Sequence, residues 1–278
     1  MKRKNIYGFM LVVLSCTTSF AQEVDFSIGG YFTNSLKTDN DYDTNTSLGY
    51  QIGVGYRYYL NSQWSLGAEI NYKYSKLDFI QRNVKENWSV IDIENHDYEF
   101  RYNSKYRKES VSFNTFQIPL TIQYETKGIV KWYIRSGVSI GIITGDSKSK
   151  ITMNDLHTSG YYKDWDAELH GPHYMGFGAF GNQTQKRNLD LSTRYSWLLE
   201  TGVKQELGNK QNLYVGVFLD LGLTNLVKDN KRIDTPISHV SNYDNPLEYH
   251  SIWTQEKYKD INLKDYYIGI KLRYSFSL

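Results

Sequence analysis

Six histidines, His96, His157, His170, His173, His239 and His250, are the side chains of this 278-residue chain best suited to metal binding or to base chemistry near neutral pH. His170 and His173 stand near Asp155, Asp166 and Glu168, a set of nitrogen and carboxylate donors that could hold a metal ion. Their spacing matches no ligand pattern, and no helix is signalled that would bring them onto one face. Asp39, Asp41 and Asp43 place carboxylates at the alternate spacing used by hard cations. Thr44 stands where an EF-hand loop needs Gly and Tyr50 where it needs Glu, so that motif is excluded and a solvated acidic turn is expected. A serine, histidine and acid together could form a hydrolase at a barrel rim, but no such pairing can be singled out. The sequence therefore assigns no catalytic, cofactor-binding or metal residue, and no cofactor.

All these histidines fall in expected loops, so the elements that position them come next. Period-2 alternation of apolar and other residues recurs eight times: 24–32, 48–60, 64–74, 116–124, 130–142, 195–207, 213–223 and 268–278. Asn61-Ser62-Gln63, Thr126-Lys127-Gly128 and Gly208-Asn209-Lys210 form tight turns between them. The other connections are long, at about 35–46, 78–112, 146–189 and 226–262. In an up-and-down meander, this alternation puts every short turn at one end and every long loop at the other, as in barrels of outer membranes.

Side-chain volume then decides which face is outside. One phase of the strands carries Tyr, Trp, Phe and Leu; the other carries small residues such as Gly53, Gly55, Ser139, Gly141 and Gly216. An eight-stranded bore is only wide enough to be filled by side chains, so the bulky phase must face out, which lipid alone tolerates. No charge falls on that bulky phase. The opposite phase carries Arg57, Glu69, Lys73, Glu125, Lys131, Arg135, Arg194, Glu200, Lys204, Asp220, Lys271 and Arg273, expected to pair as a polar plug. Aromatics cluster at two levels: Tyr56, Tyr58, Trp64, Tyr124, Trp132, Tyr274 and Phe276 near the turns, and Tyr50, Tyr72, Tyr74, Phe116, Tyr195 and Trp197 toward the loops. Two interfacial girdles are expected of a bilayer-spanning barrel. The fold expected is thus all-β: an eight-stranded antiparallel up-and-down transmembrane β-barrel with long extracellular loops.

Composition agrees. Lys and Arg number 32 against 30 Asp and Glu, which excludes a nucleic-acid binder acting through bulk positive charge. Mean hydropathy is −0.56, and no segment beyond the N-terminus supplies the roughly 20 apolar residues of a spanning helix. Lys2, Arg3 and Lys4, an apolar run from Tyr7 to Leu14, and Ser19-Phe20-Ala21 read as a cleavable export signal over 1–21, leaving 22–278 as the barrel domain. Cys16, the only cysteine, lies inside that signal, with Leu14 disfavouring an acylated-cysteine reading.

FQIPLTIQYE (116–125), KWYIRSGVSIGIIT (131–144) and Leu221-Gly222-Leu223-Thr224-Asn225-Leu226 resemble strands of the PorT-like outer-membrane β-barrel family of the Bacteroidetes. The resemblance covers the barrel and not the long loops, and its motifs are structural. It implies a non-enzymatic protein of the cell outer membrane with a structural, adhesion or secretion-accessory role. Its partners would be outer-membrane lipid, the barrel assembly machinery and an envelope or secretion protein met through the loops. A rim-sited lipid hydrolase is the alternative, and a conducting pore a poorer third. Gln117 stands where the family often has Glu, and Leu278 where exported barrels commonly end in an aromatic. Pro119 lacks a ladder donor, so a bulge or bridging water is expected there. The Gly-rich stretch 171–181, with Met175, Phe177 and Phe180, is expected to cap the barrel mouth or to meet a partner.

Overall fold

The computed structural model describes residues 22–36, 41–228 and 232–278. The expected export signal, and Asp39 of the acidic turn, lie outside the described residues. In chain order the strands are β1 (Gln22–Leu36), β2 (Asp43–Asn45), β3 (Ser47–Tyr59), β4 (Trp64–Ile91), β5 (Asp97–Glu125), β6 (Val130–Tyr162) and β7 (Ala167–Leu169). They continue as β8 (Gly178–Asn188), β9 (Arg194–Gly208), β10 (Gln211–Gly222), β11 (Ile237–His239), β12 (Leu247–Tyr249) and β13 (Lys264–Ser277).

Eight of them, β1, β3, β4, β5, β6, β9, β10 and β13, form a closed antiparallel ring. Each pairs with its neighbour in this order, and β13 closes on β1 with Val24 opposite Phe276 and Gly29 opposite Lys271. The eight alternating segments and three tight turns of the sequence are all present. Outward residues are widely exposed, among them Leu48 at 69%, Val138 at 59% and Ile270 at 59%. Both aromatic levels are in place: Tyr50 stacks on Tyr74 near the loop end, and Trp64 lies against Tyr124 near the turn end.

Two expected loops are strands instead. β4, β5 and β6 run for 28, 29 and 33 residues, against the 9 to 11 or so that a bilayer needs. Segments 78–112 and 146–162 therefore continue the barrel wall beyond the membrane as a crown, joined by β2 on β4 and by β7 and β8 on β6. The reason is a change of solvent. Along β4 the inward side chains Glu69, Asn71, Lys73 and Ser75 give way to Leu77 and Phe79; along β5, Gln117 and Thr115 give way to Phe113 and Val111. Outside the bilayer, water replaces lipid around the wall, so apolar side chains move to the interior while the period of two persists.

Pro119 produces no register shift: Leu120 pairs with Ala68 and Gln117 with Asn71, in constant register, with the intervening pairs missing from the ladder. The missing N–H thus interrupts the ladder without shifting its register. The bulge falls higher, between Ser112 and Asn114, opposite the turn-like insertion at Gly145, whose φ is +71°.

The crown has its own core. Leu77, Phe79, Val111 and Phe113 enclose Leu226, Ile252, Trp253 and Tyr258 of the last connection. Above them, Val84, Phe100, Tyr102, Ile151 and Met153 enclose Ile237, Leu247 and Tyr249.

Candidate functional site: a sealed bore beneath a capped crown

The bore holds three tiers of ion pairs. At the loop end Asp220 accepts from Lys73 Nζ and Arg194 Nη1, each at 2.8 Å, and Arg194 Nε reaches Asp265 at 2.8 Å. In the middle Arg135 bridges Glu69 and Glu200, Lys271 joins Glu69 and Arg273 joins Glu200. At the turn end Lys204 lies 2.7 Å from Glu23 and 3.2 Å from Glu125, and Tyr214 donates to Glu23 at 2.6 Å.

Sequence reasoning missed Glu23, Asp25 and Asp265, all buried on the inward phase. With them, the buried charges balance in number: Arg57, Lys73, Arg135, Arg194, Lys204, Lys271 and Arg273 against Glu23, Asp25, Glu69, Glu125, Glu200, Asp220 and Asp265, with Arg57 hydrogen-bonded to Ser65 rather than ion-paired. Lys131 is set apart at the rim, paired with Glu206 at 2.6 Å. The parity of Val24 and Phe26 held the signal for Glu23 and Asp25. Asp265 lay just before the segment that the alternation marks.

The expectation of a small, polar interior also needs correction. Tyr31, Tyr59, Tyr133, Tyr214, Phe218 and Tyr267 point inward and are buried. Glycines seat these rings: a Cβ on Gly49 would lie 2.3 Å from the Tyr31 ring, and one on Gly216 would lie 2.2 Å from the Tyr133 hydroxyl. The rings in turn face the cations, with the Arg273 and Arg194 guanidinium groups each 4.3 Å from the centres of Tyr214 and Tyr267. Small and large residues thus fill the bore together. A cavity of about 640 Å³ at the turn end reaches inward to Lys204 and Glu23, where the paired charges floor it.

Above the bore, a strap in the last connection closes the crown. Buried Glu109 accepts from Ser149 Oγ at 2.6 Å, from Ser251 Oγ, and from the Ile252 N–H at 2.8 Å. Arg107 donates to the His250 carbonyl, and Arg187 to the Tyr249 carbonyl. The described carboxylates of the acidic turn, Asp41 and Asp43, are solvent-exposed as expected; the turn also joins the closure, since Asp41 pairs with Lys257 at 2.8 Å and Tyr42 is buried against Phe79 and Trp253. Among the described residues, the cap is therefore supplied chiefly by 226–228 and 232–262. Of the Gly-rich stretch, Phe177 is buried in the upper core, while Phe180 stacks on His173.

Three of the candidate metal residues share a cleft, but the carboxylates are taken up by other partners. Asp155, Glu168 and His170 line a polar cleft of about 650 Å³ that also includes His157. Glu168 accepts from Ser159 and pairs with Arg101, Asp155 lies 3.1 Å from His157, and Asp166 accepts from Tyr161. Among the described residues no three His, Cys, Asp or Glu side chains are grouped to hold a metal ion. One serine does lie beside a histidine: Ser238 Oγ is 2.8 Å from His250 Nε2. Burial, helped by Arg187, lowers the His250 pKa from its ordinary 6.5. The pair sits inside the crown on and beside the β11–β12 hairpin, away from the lipid-facing wall, and among the described residues no carboxylate is hydrogen-bonded to the ring.

Residues 19–228 match the family model described as outer membrane protein beta-barrel domain. No curated protein matches the chain. Solved structures similar to it include Neisserial surface protein A, at 10% identity and a TM-score of 0.33, covering 92% of this chain and 96% of that one. OprG from Pseudomonas aeruginosa aligns at 9% identity and a TM-score of 0.37, covering 93% and 95%. Ail of Yersinia pestis, in complex with the heparin analogue sucrose octasulfate, aligns at 11% and 0.31, covering 93% and 100%. The family match spans most of the ring whose greasy exterior and ion-paired bore are described above, and with it the chain belongs to the outer membrane protein beta-barrel domain family, as an outer-membrane protein in contact with that membrane's lipid.

Proposed function

We propose that this protein is a non-enzymatic barrel of PorT-like type, exported by the 1–21 signal, inserted by the barrel assembly machinery, and acting as a structural, adhesion or secretion-accessory component through its crown. The observation that carries this reading is the division of the molecule. Below, the bore is closed by neutralised charge and aromatic rings; above, three strands roughly three times longer than a bilayer requires build a wall with a core of its own. A loop used only to join strands needs no such core. The strand resemblance over 116–125, 131–144 and 221–226 supports the PorT-like type and, through it, a secretion role.

The test is a variant whose crown is replaced by short turns across β4–β5 and β6–β9. Normal insertion with loss of exported-protein secretion or of surface adhesion is expected. Wild-type performance in both assays would refute the reading. A lipid hydrolase would rest on Ser238 and His250; lipid deacylation lost on Ser238→Ala would establish it in place of the first.

A further inference from the structure

The ladder registers place a patch of lysines on the outer face of the crown. Tyr72, Phe116 and Ile142 stand side by side on β4, β5 and β6 as the last wholly apolar outward row. Two rows further from the membrane, the same strands present Lys76, Ser112 and Lys148. The next row, extended by β8, reads Asp78, Ser110, Lys150 and Lys186, and the one above it carries Lys108. Asp78 holds Lys76 and Lys108, each at 3.1 Å. Lys148, Lys150 and Lys186 are exposed, and among the described residues no carboxylate pairs with them. Arg187 turns the other way, to Glu248, and the exposed Asp146 in the bulge is a further carboxylate beside this stretch of β6. A groove of about 490 Å³ runs past Lys148 and Lys186. The opposite side holds fewer cations: the upper outward positions of β1 and β3, and the position just past β10, are the exposed Leu36, Leu48 and Leu223, with a single lysine beside them, the half-buried Lys264 of β13, paired with Leu36.

Each row advances about 7 Å along a strand. With a tilt near 40°, the three free lysines stand roughly 10 to 15 Å above the last apolar row. That is the level of the saccharide headgroups of an outer leaflet, above a hydrocarbon core that ends near the aromatic girdle. We infer that Lys148, Lys150 and Lys186 bind the phosphates of a phosphorylated saccharide lipid of the outer leaflet, fixing one side of the barrel against it. Lysine ammoniums act on phosphate as adjustable point charges, and Asp78 leaves these three free by neutralising their neighbours.

The test uses the folded full-length barrel in neutral-detergent micelles, titrated with fluorescent lipid A bearing both phosphates and with its dephosphorylated form. The phosphorylated lipid is expected to bind at least about 10-fold more tightly, and Lys148→Gln, Lys150→Gln and Lys186→Gln together to lower its affinity roughly 100-fold. Lys186→Gln alone, on a strand outside the ring, should lower it about 5-fold and guards against a folding defect in the triple variant. Equal affinity for the two lipids, or an affinity unchanged by these substitutions, would overturn the proposal. So would full competition by millimolar inorganic phosphate, which would assign the patch to soluble anions.

Discussion

The Glu109 carboxylate accepts the backbone N–H of Ile252 at 2.8 Å, across 143 residues of sequence, and so ties the wall of the crown to the strap that fills it. The same carboxylate serves Ser149 and Ser251. Because Glu109 is wholly buried, its removal leaves three donors without an acceptor in a dry site. Glu109→Ala should therefore destabilise the crown locally by about 2 to 4 kcal/mol. Hydrogen exchange is expected to accelerate over 247–258 while the ring strands stay protected; unchanged exchange in the strap would contradict the assignment.

In the bore the critical cation is Arg135, which lies between Glu69 and Glu200, all three buried. Removing one partner of a buried pair leaves an uncompensated charge, at a cost of about 3 to 5 kcal/mol. Arg135→Met should lower the stability of the refolded barrel by that amount, read from denaturant titration of its heat-modifiable migration. A midpoint equal to wild type would show that the tiers do not stabilise the fold.

Acid should loosen the crown before the ring. His250 is buried, and that burial lowers its pKa, with the charges of Arg187 and Arg107 acting in the same direction and that of Glu248 against it. A histidine held neutral in the fold but free to protonate when the strap opens gives stability that is full above the ordinary value of 6.5 and declines as pH falls through it. Opening of the β11–β12 hairpin should rise below about pH 6.5, as followed by hydrogen exchange. His250→Gln, uncharged throughout, should flatten that dependence.

Two glycines separate close packing from free surface. A Cβ on Gly202 would lie 2.1 Å from the Val215 carbonyl oxygen, whereas one on Gly30 would meet nothing within 4 Å. Gly202→Ala is expected to cost about 1 to 3 kcal/mol, and Gly30→Ala to be neutral or slightly stabilising, in the same denaturant titration. Equal effects would mean that the strands are not held at this approach.

The ring was legible because lipid outside and a narrow bore inside impose one polarity on every strand, so Ile52 against Gly53, or Leu272 against Arg273, announces the faces by itself. The crown was not, because that polarity inverts between Ser75 and Leu77 and again between Thr115 and Phe113. An alternation read with a fixed sign ends there, although the backbone does not. The strap was hidden for a different reason. Glu109 and Ile252 meet only because the topology folds the last connection into the crown, and neither carries a local signal of the other. The histidines promised chemistry as a set, yet the crown brings only His157 and His170 to one cleft, and among the described residues His250 is the one hydrogen-bonded to a serine.

The inversion of the wall is tested most directly by spin labels on single cysteines along β4, since no described residue is a cysteine. Labels replacing Leu66 and Ile70 should be relaxed by oxygen, which concentrates in lipid. Labels replacing Lys76 and Arg82 should be relaxed by a water-soluble nickel complex, and a label replacing Leu77 by neither. A lipid-like response at 76 and 82, or a water-like response at 66 and 70, would show that the bulky face is not in the membrane and the crown not above it.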